Sequence, residues 1–244
     1  MREGASATAR QGRAPAVLGP QSPQAGLPCP PMRADDHPLS PLGPPDLAPP
    51  SPEVEAACIR VAQRIVRQGR ARVGLLPASG EVAVVPVGLL LAWAVIQVRQ
   101  GAKVGFLDAN QRWPAWPVPA TAEAAEIGDG VLITRPLGPR LNLLLPRPDP
   151  ALDSTDSGPR RSPRLPAQGL ATLLAAASAE HTHLLVDLTG FRELGDYLAA
   201  VDLLDGVIVC ARAGQTRERE LVALHHALPA ARRVGVLLLG GETS

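Results

Sequence analysis

From residue 53 onward the apolar residues fall into alternating helical stripes and short runs. Val54, Cys58, Val61 and Ile65 recur three and four residues apart, with Arg60, Arg64 and Arg67 among them. That spacing predicts a helix that packs one face on the domain and shows a basic face to solvent. Ser51-Pro52-Glu53 supplies its start signal, with serine at the N-cap, proline at the first helical position and acids in the first turn. The helix ends near Gly69. There follow a strand over 72–76, a loop, an apolar helix running to Gln97, and a strand over 103–107. A strand over 141–145 comes after a loop-rich region. Helix 168–179, strand 183–187, helix 195–203, strand 206–210, helix 216–228 and strand 233–239 complete the series. Strands separated by helices predict an α/β fold with a mostly parallel sheet flanked by helices on both faces. Runs such as VGVLLL, apolar at almost every position, fit strands buried on both sides.

The pattern breaks in two places. Residues 1–51 carry no apolar periodicity and hold most of the 13 prolines found in residues 1–52, out of 27 in the chain. Such a segment buries too little surface to offset its ordering entropy, so it reads as a disordered Pro-rich tail, a tether more readily than a ligand for a proline-binding module. Residues 146–166 hold six prolines and the run DSTDSGPRRSPR, and read as a mobile loop insertion within one folded domain spanning 52–244. The uncharged stretch 82–98 reaches only the short end of the roughly 17 to 25 residues that cross a bilayer. Pro86 and Gly88 interrupt it and KVGFL follows at once, so it reads as a buried helix feeding a strand and no transmembrane segment is expected.

Composition narrows the function classes. With 24 Lys and Arg against 23 Asp and Glu and a formal net charge of +1, no overall field draws the chain to nucleic acid or an anionic membrane. Its three cysteines, Cys29, Cys58 and Cys210, lie far apart and make neither a CxxC pair nor an even framework. Arg2, Arg10 and Arg13 precede no apolar run of the kind a secretory signal needs. A cytoplasmic protein is expected, peripheral to the inner membrane only through a partner. His181, His183, His225 and His226 have no third ligand at zinc spacing, and read as surface or strand-end residues. Trp93 reads as core, and Trp113 or Trp116 as a partner contact.

In open parallel sheets ligands sit at the carboxyl ends of the strands, here residues 77–87, 108–112, 187–190 and 211–216. Three runs at these ends carry a resemblance: FLDANQRWP at 106–114, LLVDLTG at 184–190 and DGVIVCARAGQT at 205–216. Together they resemble the P-loop ATPase domain of the bacterial capsule and exopolysaccharide tyrosine kinases and their ParA/MinD relatives, over residues 53–244. The resemblance implies a P-loop NTPase-like fold of the SIMIBI type, with Asp187 holding magnesium-bound water and Asp108 beside it orienting metal or the attacking hydroxyl. It also puts Gly80, Glu81 and Thr189 at nucleotide-contacting positions. Carboxylates suit magnesium, a hard ion that prefers oxygen ligands; the alternative is that each acid only ends a strand.

The loop after the first strand departs from that pattern. GxxxxGK[ST] needs glycines for close backbone approach, lysine for the phosphates and a hydroxyl for magnesium. If Gly80-Glu81 matches the family's Gly-Glu, then Val82, Ala83, Val84 and Val85 stand where Gly, Lys, Ser and Thr are expected, and no lysine occurs between Arg72 and Arg99. Pro86 removes a further backbone donor. Asn110 replaces a second acid and Leu239 a base-contacting asparagine. The family's tyrosine cluster is missing as well, since Tyr197 is the single tyrosine. The expectation is therefore a pseudo-ATPase without cofactor, with ATP and Mg2+ bound only if the loop proves functional. It would act on protein partners: a second copy, an active ATPase relative, or a membrane polysaccharide-export protein. A working enzyme with an unorthodox loop and a ParA-type localisation factor are the alternatives. Val82, Val84, Val85 and Val87 would form either an exposed contact patch or an extension of the core.

Overall fold

The computed structural model describes residues 51–110, 125–147 and 167–240. The elements run helix α1 (Pro52–Arg67), strand β1 (Arg72–Pro77), α2 (Val84–Val98), β2 (Val104–Asp108), β3 (Ala125–Ile127), β4 (Leu132–Gly138) and β5 (Leu141–Pro146). They continue with α3 (Ala167–Glu180), β6 (His183–Asp187), α4 (Thr189–Leu194), α5 (Tyr197–Asp202), β7 (Gly206–Arg212), α6 (Glu218–Ala227) and β8 (Arg233–Leu239). Among the described residues one sheet of eight strands forms, ordered β3-β4-β5-β2-β6-β1-β7-β8. The six strands from β5 to β8 pair in parallel. Antiparallel β3 and β4 extend the β5 edge.

Helices cover both faces, as the alternating pattern predicts. On one side α1 and α2 place Cys58, Ala62, Ile65, Leu91 and Val95 against Leu75, Phe106 and Leu143. On the other, Leu170, Leu174, Phe191, Val201 and Leu224 of the remaining helices pack on Leu76, Leu107 and Val186. Helix α2 sits so close to the sheet that a Cβ at Gly88 would lie 2.2 Å from the Phe106 ring and 2.8 Å from Leu75. Glycine is there for that approach.

Four expectations need correcting. The helix expected over 195–203 is shorter, α5 at Tyr197–Asp202, and a second short helix that was not expected, α4, precedes it and is closed by Gly195 at φ 80° in a left-handed turn. The loop-rich region before β5 contains β3 and β4, whose apolar signal is broken by Arg135 and Pro136 and by a register irregularity at Pro136/Gly138. Pro146, expected to open the insertion, belongs to β5, and the Arg147 amide donates to the Val131 carbonyl at 3.0 Å; the rest of the expected insertion, 148–166, lies outside the described set, as do residues 1–50. Trp93 is 40% exposed, and its ring covers Gly138 instead of filling the core.

His181 and His183 are buried, at 6% and 2% exposure. His181 Nδ1–H donates to the Ala177 carbonyl at 2.9 Å, leaving Nε2 to accept from Asn142 at 2.9 Å. His183 Nε2 accepts from the Arg99 guanidinium at 3.2 Å, and its Nδ1 lies 3.2 Å from Thr182 Oγ1, which itself donates to Lys103. Both rings are thus held neutral, and burial pushes both pKa values down, with Arg99 adding to the effect at His183. The unfolded chain takes up these protons first, so stability should be complete above the ordinary value of 6.5 and decline as pH falls below it. Urea midpoints measured from pH 7.5 to pH 5 should show this decline, and His183→Gln should flatten it. Gly88→Ala should cost about 1–3 kcal/mol by overpacking Phe106, outweighing a helix-propensity gain of about 1 kcal/mol, as read by urea denaturation.

Candidate functional site

Parallel strands put their carboxyl ends on one edge of the sheet, and the register aligns the two candidate acids there. Asp108 and Asp187 are Cα partners at the ends of neighbouring β2 and β6, each 2% exposed. Each carboxylate is turned back by its own loop. The Asn110 amide donates to Asp108 Oδ1 at 3.1 Å, while the Thr189 amide and hydroxyl donate to Asp187 Oδ1 at 2.8 and 2.6 Å. Gly190 closes the cluster: a Cβ there would lie 2.9 Å from Asn110 Oδ1. Burial pushes the Asp187 pKa up in spite of the two Thr189 hydrogen bonds, which lower it, and nearby Glu193 adds to the rise. Asp108, Asn110, Asp187, Thr189 and Gly190 are therefore brought together by the fold.

Gly80 and Glu81 are not part of that cluster. The loop between β1 and α2 is tied to β7 by the Ala78 amide, which donates to the Cys210 carbonyl at 2.8 Å, and turns tightly through Val82 N–H to the Ser79 carbonyl at 3.2 Å. Its exposed tip is Gly80 and Glu81. Behind the tip, Val82 and Val84 are 4% and 3% exposed and join the core that holds Leu75 and Phe106. Val87 is buried with them and Val85 packs against the same core. The contact patch considered for these valines is thus not exposed; they extend the core, because helix α2 begins at Val84 and draws its first turn onto the sheet.

This leaves little to grip a polyphosphate. Ala83 caps α2 without a side-chain hydrogen bond, and Pro86 in its first turn supplies no amide. The Ser79 hydroxyl is buried, with no hydrogen-bond partner among the described residues. Arg192 lies with its guanidinium 5.8 Å from the Tyr197 ring centroid. The acids Asp108, Asp187, Glu81 and Glu193 lie on this side of the sheet, the first two buried, and Arg212 is exposed at the end of β7. The donor set of Asp187 and Thr189 still fits a hydrated magnesium ion, oxygen against a hard cation, but no cation for the phosphates accompanies it in residues 73–98. Arg112, Trp113 and Trp116 fall outside the described residues.

Asp187, Asp108 and Thr189 were legible as strand-end residues. The clustering of Asn110 with Gly190 was not, since it depends on a close approach that sequence spacing does not encode. Two of the three cysteines, Cys58 and Cys210, are buried free thiols, and burial raises both pKa values, that of Cys58 to about 11. Neither is poised as a nucleophile.

No family model matches the chain, and no curated protein does. Solved structures do match. The chain is similar to the chimerical protein CapA2B2, with a TM-score of 0.55 and 16% identity over 78% of this chain and 86% of that one. It is similar to the kinase domain of the Escherichia coli tyrosine kinase ETK, with a TM-score of 0.52 and 16% identity over 78% and 77%. The VpsO kinase domain gives 0.51 and 17% over 76% and 93%. At such identities the likeness establishes the fold, which is that of bacterial tyrosine kinase domains, in agreement with the resemblance of the three strand-end runs.

The buried Asp187 carboxylate opposes folding at neutral pH. Its raised pKa means stability is greatest below the ordinary value of 3.8 and is lost as pH rises through the folded-state value. Asp187→Asn keeps an oxygen for Thr189 and removes the charge. It should raise the urea midpoint at pH 7, with the gain shrinking toward pH 4.

Proposed function

We propose that this chain is a catalytically impaired relative of the capsule-type tyrosine kinases and ParA/MinD ATPases, working as a regulatory or scaffolding protein through protein contacts. The observation that carries the reading is the burial of Val82 and Val84 in the α2 core. A phosphate cradle needs glycine there for close backbone approach and a hydroxyl facing the metal; branched apolar side chains turned inward offer neither. The missing lysine removes the cation that neutralises the phosphates. Transfer to a tyrosine has little to act on either, because Tyr197 is partly buried beneath Arg192.

Retention of Asp108, Asp187 and Thr189 in one cluster supports descent from a magnesium-dependent site. It is also the observation favouring the second reading, a working ATPase whose cation comes from another subunit. With the valines in the core, protein contacts fall to other surfaces than the loop. Service in polysaccharide synthesis or export, or as a ParA-type localisation factor, is compatible with the fold. Among the described residues no helix is long and apolar enough to cross a membrane.

Calorimetry with Mg-ATP tests the reading. The expected outcome is no binding in the micromolar range. Micromolar binding that Asp187→Ala abolishes would establish the working enzyme instead.

A further inference from the structure

Strand β8 ends the sheet with nothing hydrogen-bonded to its outer side among the described residues. A groove of about 1170 Å³ runs between it and α1. Every β8 residue over 234–238 lines this groove, whereas a groove over one face of a strand meets only alternate side chains. The groove therefore follows the strand's edge. Ala213 N–H donates to the Leu239 carbonyl at 2.9 Å, which turns Leu239 toward β7. From Gly235 to Leu239 the pairing with β7 is in register, so by alternation Val236 and Leu238 direct their amides and carbonyls outward. Their side chains are 51% and 58% exposed. An apolar edge of this kind, with open backbone groups, is a template for one more strand.

The opposite wall says what that strand carries. Helix α1 contributes Val54 and Val61 together with Arg60 and Arg64, and the Arg64 guanidinium lies 3.7 Å from a Cβ position on Gly235, at the strand itself. Neither arginine has a carboxylate partner within ion-pair distance among the described residues. Glu53, the acid in the groove, sits at the α1 amino terminus, where backbone and Ser51 hydrogen bonds hold its pKa down.

We propose that the β8 edge is a docking site for an extended polypeptide from another protein, which adds to the sheet as a strand and sets acidic side chains against Arg60 and Arg64. Two nearer occupants fit less well. A second copy pairing β8 with β8 would bring Arg60, Arg64 and Arg233 of each chain toward the same set on the other. Residues 41–50, which lead into α1, contain five prolines, and each proline lacks the N–H a ladder requires. The inference rests on the protein-binding part of the proposed function and on none of its statements about nucleotide. Mg-ATP binding would overturn those and leave this site untouched.

The test uses the full chain and two capped peptides, Thr-Val-Glu-Val-Glu-Val-Thr and its lysine counterpart. Fluorescence anisotropy should show the glutamate peptide binding about ten-fold more tightly at low salt, and Arg60→Glu with Arg64→Glu should invert the preference. Amide hydrogen exchange should slow at Val236 and Leu238 when the peptide binds. Equal binding of the two peptides, a preference that survives charge reversal, or protection elsewhere would overturn the proposal. So would protection of Val236 and Leu238 without peptide: loss of that protection on dilution would assign the edge to a second copy, and loss on deletion of residues 1–50 to the chain's own tail.

Discussion

The first two turns of α2 lie flat on β1 and β2, with Gly88 against the Phe106 ring and Val82, Val84 and Val87 in the same core. This contact fixes where the helix begins, how the loop before it folds, and what that loop can offer a ligand. In a phosphate-binding loop the backbone must stand away from the core so that its amides face outward. Here burial of the valines contributes on the scale of about 1.5–3 kcal/mol per side chain, and the same burial leaves only Gly80 and Glu81 at the tip. A single packing preference thus stabilises the fold and supports the proposal that the loop no longer serves as a cradle.

The acids at the edge follow a different logic. Asp187 is held by Thr189 and nearly excluded from solvent, in the register position beside Asp108. Burying carboxylates costs stability unless they are well partnered, and nothing in the packing of β2 or β6 demands them. Their presence is the part of the structure that core formation does not explain. It supports the proposed descent from a site built around a hydrated cation.

Much of this was readable from the chain because apolar periodicity reports burial, and burial orders the sheet. Strands β6 and β8 match their expected limits, and α1 begins at the Ser51-Pro52-Glu53 signal. Asp108 and Asp187 stood out because a carboxylate closing an apolar run lies at a strand end. The hairpin of β3 and β4 escaped notice, since an antiparallel edge strand tolerates Arg135 and Pro136 and so lacks a continuous apolar run. Helix α4 escaped notice because it is only six residues long and ends at one left-handed glycine, Gly195, and Trp93 misled because an aromatic residue in an apolar helix can cover a neighbouring strand from outside. The orientation of the valines was left open by sequence for a physical reason: β-branched residues in series suit a buried strand, a buried helix turn and a contact patch equally, and only the position of Gly88 against Phe106 decides among them.

The central claim is that the loop has become core. Urea denaturation of the Val84→Ser variant, which places a hydroxyl where the resemblance implies one, tests it most directly. A loss of about 1–3 kcal/mol from missing apolar contacts and a buried hydroxyl, without gain of Mg-ATP binding, is the result this account predicts. Unchanged stability together with Mg-ATP binding would contradict it.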